Sequence, residues 1–343
     1  MPGRPPKVVY LDMLHWISLA KAQGGHPDGA PYVDSLAACV IAVADGAAVF
    51  PISDSIFAEV SRIKQYRQRC DLQQVIEELS RYRVVPPRTA IATHEIEAML
   101  DEVVGQSRRP INAWTYLDWG VARAFGMVGG FRVYDEHNND VTERARRECD
   151  GGPDAFDAKA LWAELELNRR CLTGPSENEE PELRELGWQP GWTITVAEQR
   201  AKQEIEQAER FNSNPSWRRG RLRDVIAARE VVIEINETLA TGLFDRGARW
   251  EDVFDSPTTA RRCMDAMPSF DVAVSIKTSY HQNPEHRWTS NDIHDIDALG
   301  STVPYCDVVL TDKAVTAHVN RVGLAERLNT VVLARLEDLL PLL

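Results

Sequence analysis

The 343-residue chain predicts an α/β fold: a parallel sheet flanked by helices, its strands drawn from both chain ends, with a large all-helical insertion between them. Three observations carry this. Short β-branched runs alternate with helical periodicity over residues 1–88, and the same alternation returns over 290–343. The stretch 89–289 instead holds charged helical patterns separated by breaks such as GGPD, TGPSENEEPE, NSNPS and DSPTT, with almost no strand signal. The expected organisation is therefore a first part of the α/β core at 1–88, a helical substrate or partner subdomain at 89–289, and a second part of the core at 290–343.

Each element has its own signal. KVVYLD at 7–12 is a β-rich run ending in a carboxylate, and MLHWISLAKA after it has apolar residues at helical spacing. GGHPDGAP breaks that pattern, and Tyr32 to Asp45 predicts a second helix. AVFPIS at 48–53 predicts a short strand. SDSIFAEVSRIKQYRQRCDLQQVIEELSRY then predicts one long helix capped by Ser53 or Asp54, and RVVPP a third strand. FRVYD is a weak strand candidate within the insertion. At the far end, SNDIHDIDALGS predicts a helix, DVVL a strand, DKAVTAHVNRVGL a helix and NTVVL a final strand.

Composition narrows the function classes. Hydrophobic and charged residues, at 43% and 27%, are those of an ordinary globular protein, and no apolar run reaches the length of a membrane span. MPGRPPK leads straight into strand-like sequence rather than a signal-peptide core, so a cytoplasmic location without membrane contact is the expectation. The six cysteines are scattered without CxxC or zinc-type spacing. A net charge of −13 argues against a surface coated in positive charge for nucleic-acid attraction, yet leaves room for a local basic groove. No GxxxxGK[ST] or GxGxxG loop is present, and the residues after Asp12 are Met13 and Leu14 rather than the D-x-D of an aspartyl phosphatase.

Open parallel sheets bind ligands outside the carboxyl ends of their strands. Here that rule selects Asp12, the Ser53/Asp54 turn, and Thr311 with Asp312. Glu59 follows in the helix after the second strand, and its side chain would lean back toward the same edge. Asp292 and Asp295 lie three apart near the start of a later helix, on one face. Asp12, Glu59, Asp292 or Asp295, and Asp312 could thus converge from four segments. Gathered carboxylates repel one another strongly unless a cation neutralises them, and hard oxygen ligands without cysteine suit Mg²⁺ or Mn²⁺. The chemistry implied is metal-assisted hydrolysis of a phosphate ester.

In VVYLD, PISDSIFAEV, NDIHDIDAL and VVLTD, in that order, the sequence resembles the PIN-like domain nucleases over residues 7–87 and 290–335. The resemblance implies a PIN-like sheet and a metal-dependent, usually endonucleolytic ribonuclease. It gives metal-binding roles to Asp12, Glu59, Asp295 and Asp312, with Asp292 as rival or partner of Asp295, and supporting hydroxyls to Ser53 and Thr311. The implied substrate is RNA, with single-stranded DNA second. A toxin or anti-phage effector is one expected context, and a regulatory protein or a second copy an expected partner. A catalytically silent scaffold of the same fold, binding protein, is the competing expectation.

Two basic stretches could line a nucleic-acid groove. SRIKQYRQRC supplies Arg62, Lys64, Arg67 and Arg69, expected on the helix that carries Glu59. WRRGRLR supplies Trp217, Arg218, Arg219, Arg221 and Arg223. His15 and His294 lie beside the acidic positions, but a packed or surface role is the plainer expectation for each. Asp297 and Asp307 are expected to be structural.

Overall fold

The computed structural model describes residues 5–105, 113–186 and 192–343. Its centre is a parallel sheet of β1 (Lys7–Leu11), β2 (Ala48–Val49), β5 (Val308–Leu310) and β6 (Val331–Leu333), in the order β2-β1-β5-β6. Val9 stands opposite Val308 and Leu11 opposite Leu310, while Lys7 pairs with Ala48 and Val308 with Val331. Beyond β2 the chain stays extended: the Ile52 amide donates to the Arg83 carbonyl at 3.0 Å, and the Val85 amide donates back to Ile52 at 2.9 Å. β3 (Arg83–Val84) is thereby attached beside the β2 segment and pairs antiparallel with β4 (Asp118–Trp119). The sheet is thus assembled from both ends of the chain, with the N-terminal and C-terminal strands meeting at β1 and β5.

Alternation along β1 feeds two cores. Val9 and Leu11 pack with Trp16, Leu19, Phe50 and Leu310 under α1 (Met13–Gln23), α2 (Val33–Ala44) and α4 (Tyr66–Ser80). Val8 and Tyr10 face the other way, onto Val272, Ile276, Ile296 and Leu299. A strand buried on both faces needs the continuous apolar run that KVVYL supplies.

Two sequence expectations are corrected. The long helix predicted from Ser53 is two helices, α3 (Asp54–Ser61) and α4. Its break lies at 62–65, where Arg69 Nη1 takes the carbonyls of Ile63 at 2.6 Å and Lys64 at 3.0 Å. The insertion is not all-helical, because it contributes β4 and a bridge between Tyr134 and Asp140. The insertion also packs on the sheet. Beyond α5 (Arg88–Val103) and α6 (Gly152–Thr173), the insertion's α7 (Trp192–Ser213) and α10 (Pro268–Gln282) cover one face of the sheet.

α7, α10 and α5 are joined to the C-terminal half by buried charge, together with α8 (Leu222–Glu230), the π-helical turn Val231–Ile235 that precedes α9 (Asn236–Asp245), and α11 (Ser290–Thr302). Arg88 pairs with Glu230 and Asp297 at 3.0 Å each and with Glu234 at 3.5 Å. Arg200 also holds Asp297, Lys277 reaches Glu230 at 2.6 Å and Glu204 at 3.1 Å, and Arg229 closes on Glu204 at 2.6 Å. Four cations thus balance four carboxylates. Burial alone would raise Asp297 and Glu204, but Arg200 and Arg88 hold the first, and His281, Lys277 and Arg229 the second, well below the carboxylate range. Gly300 lets Arg88 lie against α11, since a Cβ there would meet Arg88 Cδ at 2.5 Å. Removing one charge strands another, so Lys277→Met should destabilise the fold by about 3–5 kcal/mol. Urea unfolding with an unchanged slope checks this; a loss within about 0.5 kcal/mol would contradict it.

Candidate functional site

The sheet order reverses between β1 and β5, and the crevice at their carboxyl ends is where an open parallel sheet accepts ligand. Asp12 follows β1 directly. Its amide donates to the Leu310 carbonyl at 3.0 Å, and one carboxylate oxygen caps α1 by accepting from the Met13 amide at 2.7 Å. Thr311, buried after β5, donates its hydroxyl to the other oxygen at 3.4 Å. Asp312 caps α12 (Lys313–Arg321), accepting from the amides of Ala314 at 2.6 Å and Val315 at 3.1 Å. Glu59 comes from α3, which starts just past the β2 extension, and Asp295 from the second turn of α11.

These four carboxylates act on one another. Burial pushes Asp295 up to about 8, aided by Asp12, Glu59, Asp312 and Asp292. Burial and then Asp12 push Glu59 up to about 7, with Arg62 a partial offset. Asp12 is raised by burial and by Asp312, against the hydrogen bonds from Met13 and Thr311. Neither Glu59 nor Asp295 takes a hydrogen bond or ion pair from the described residues. The contrast with Asp297, two residues from Asp295 and held by two arginines, is chemical rather than positional: one acid is neutralised by the protein and the other is not.

Asp292 and Asp295 part company. Asp292 closes a capping box, accepting from the Thr289 amide at 2.6 Å and hydroxyl at 2.9 Å, and lies 3.4 Å from His286 Nε2. Burial works to raise it, but His286 and Thr289 leave it lowered. Its charge is engaged locally, whereas that of Asp295 faces the other carboxylates. Ser53 sits at the start of α3 but its hydroxyl bonds the Tyr10 phenol at 2.9 Å and Ser55 at 3.2 Å instead of capping the helix. Asp54, beside it, is raised to about 6 by burial and by Asp297. His15 is a packed histidine.

As they stand, the carboxylates are not a closed ligand group: among the described residues, no three His, Cys, Asp or Glu side chains are arranged to hold an ion. The donor set is nonetheless all oxygen, with one supporting hydroxyl and no cation inside it. That chemistry fits a hard divalent cation, provided that side-chain rotation draws the carboxylates together.

The basic residues divide. Arg62, at the carboxyl end of α3, is exposed and donates to Asn291 Oδ1 at 2.9 Å, placing it at the rim between Glu59 and α11. Lys64 and Arg67 are exposed in the linker and the first turn of α4, not on the helix of Glu59. The nucleic-acid role expected for Arg69 is corrected. It is buried, with its guanidinium bonded to the carbonyls of Ile63, Lys64, Thr173 and Pro175. Arg218 is likewise occupied, by the His281 carbonyl and Asn212, and Arg223 by Asp271 and Ser275. Trp217, Arg219 and Arg221 remain exposed. Sequence reasoning missed Tyr10 and Tyr280. Alternation in KVVYLD could have placed Tyr10 beside Asp12, but nothing in KTSYHQ signals that Tyr280 stands near Asp295, as its raised pKa shows: burial first, then Asp295, Asp292 and Asp312.

Comparison with family models, curated proteins and solved structures returns no match.

The raised pKa of Asp295 sets a pH dependence. An unfolded chain ionises this carboxyl near 3.8, whereas the folded chain keeps its proton until about 8. Folding takes up a proton between those values, so stability falls as pH rises through that window. Asp295→Asn should stabilise the metal-free protein by about 1–3 kcal/mol at about pH 8.5, after discounting for solvent screening, and by much less at about pH 5. Denaturant melts in chelator check this; an equal difference at both pH values would contradict it.

Proposed function

We propose that the chain is a Mg²⁺- or Mn²⁺-dependent nuclease of the PIN-like class that hydrolyses phosphodiester bonds in RNA. The observation that carries this reading is that Asp12, Glu59, Asp295 and Asp312 at the β1/β5 switch point take no ion pair from the described residues, in contrast to Asp297, Glu204 and Glu230, which arginine and lysine hold. A cation held by these four would neutralise developing charge on phosphorus and lower the pKa of a water nucleophile.

The protein's own groups serve that chemistry in separate ways. Thr311 restrains one oxygen of Asp12 and the Met13 amide the other, so this carboxylate is oriented before anything binds. The amino ends of α1 and α12 open on the same edge, and their dipoles favour negative charge there, although Asp12 and Asp312 already cap most of their first amides. Arg62 offers a guanidinium at the rim, suited to a phosphate on one side of the cut. Exposed Lys64 and Arg67 extend that positive edge, and exposed Trp217, Arg219 and Arg221 provide a second surface for the strand.

Labelled RNA and single-stranded DNA, incubated with Mn²⁺, test the assignment. Wild type should cut RNA, and Asp12→Asn and Asp312→Asn should each lose about 100-fold or more in rate, equivalent to about 2.7 kcal/mol of transition-state stabilisation. Variants as active as wild type would sink it. A silent scaffold of the same fold is separated by melting: millimolar Mn²⁺ should raise the Tm of wild type, more at about pH 8 than at about pH 6, because the ion competes with protons for the carboxylates. No shift at either pH would favour the scaffold.

A further inference from the structure

Once ionised around a cation, the carboxylates are acceptors only, and a phosphodiester entering the site offers only acceptors in return. A substrate therefore needs O–H or N–H groups on the rim. Arg62 is one, at the gap between α3 and α11. The gap between α10 and α11 holds another candidate, Tyr280, in the last turn of α10.

The Tyr280 ring is fixed from two sides. His286 stacks on its face, with centroids 4.3 Å apart and planes 19° apart, and buried Trp288 meets it edge-on at 5.5 Å. His286 Nε2 lies 3.4 Å from one oxygen of Asp292, whose other oxygen is bound by Thr289, so the ring packs beside the start of α11. The phenol itself has no hydrogen-bond partner among the described residues, and Tyr280 is partly exposed. The carboxylates that act on it are Asp295, Asp292 and Asp312, in that order. Tyr10, Tyr82 and Tyr305 spend their hydroxyls on Ser53, Glu77 and Glu95, whereas Tyr116 is buried with its hydroxyl unpaired and away from the acidic edge, packed against Tyr305 and His94. A phenylalanine would make the same ring contacts at 280, so packing leaves the hydroxyl unexplained.

We propose that Tyr280 is a catalytic residue that touches the substrate, its phenol donating a hydrogen bond to a non-bridging oxygen of the scissile phosphate while His286 holds the ring in place. No proton changes hands and the phenol stays neutral; the bond strengthens as charge gathers on that oxygen in the transition state. The inference rests on the nuclease reading, and it assigns to the insertion a part in the reaction itself as well as in covering the sheet.

The test compares wild type with Tyr280→Phe on an RNA carrying one cleavable linkage, with Mn²⁺, together with the melting temperature and its Mn²⁺-induced shift. Tyr280→Phe should lower single-turnover cleavage about 10-fold or more while leaving both melting quantities as in wild type. Replacing a non-bridging oxygen of the cleavable phosphate by sulfur, one diastereomer at a time, should slow wild type more than Tyr280→Phe for one diastereomer, since the variant has no bond left to lose. Cleavage by Tyr280→Phe within twofold of wild type overturns the inference and leaves the nuclease reading intact. A loss accompanied by a lowered melting temperature or a vanished Mn²⁺ shift overturns it in favour of a structural role. Absence of cleavage by wild type overturns both.

Discussion

A carboxylate withdrawn from water requires a positive charge, a proton or several donors, and the arrangement of this molecule follows from where each is supplied. Through the helical layer the protein supplies cations of its own. Arg88, Arg200, Arg229 and Lys277 interleave with Asp297, Glu204, Glu230 and Glu234, so helices from distant parts of the chain are held in one register. At the β1/β5 edge the protein supplies only Arg62 at the rim, a partial offset to Glu59, and the carboxyl groups of Glu59 and Asp295 retain protons far above their ordinary range. The two regions meet on α11, where Asp297 anchors the helix and Asp295 projects toward the other acids. Two residues of separation, about 200° around a helix, divide a structural acid from a candidate functional one.

The sheet explains why the acids arrive where they do. Parallel strands send their carboxyl ends to one edge, and the helices that follow begin there with exposed amides. Asp12 and Asp312 satisfy those amides with one part of each carboxylate while leaving lone pairs toward the crevice. Capping and ligand binding are therefore compatible duties for these two residues. Asp292 is held instead by its capping box with Thr289 and by nearby His286, which keep its charge at the start of α11 rather than toward the other acids. The π-helical turn before α9 belongs to the same logic, since it places Glu234 within reach of Arg88 and Arg200.

Much of this was legible in the sequence because it depends on local pattern. Strand runs ending in a carboxylate, an alternation that resumes after 290, and a hydroxyl beside Asp312 each follow from residues a few positions apart. The break between α3 and α4 was not legible, since it depends on Arg69 folding back onto carbonyls of Ile63 and Lys64 while reaching Thr173 and Pro175. The basic stretches were read as free charge for the same reason: most partners of Arg69, Arg218 and Arg223 lie 48 to 106 positions away or on backbone atoms that no pattern reveals. The helices of 89–289 carried no sign that α7 and α10 would cover a face of the sheet, because an amphipathic stripe names no partner.

By itself the sequence determined the α/β class, the order of the acidic positions and the edge to which they belong, since strand periodicity and chain direction are local properties. Only the tertiary structure decided that Asp295 rather than Asp292 faces Asp12, Glu59 and Asp312, that Asp297 is neutralised by Arg88 and Arg200, and that Tyr280 stands at the rim. The physical reason is that the state of a carboxylate depends on the charges and donors within a few ångströms of it, and here most of these come from residues far apart in the chain.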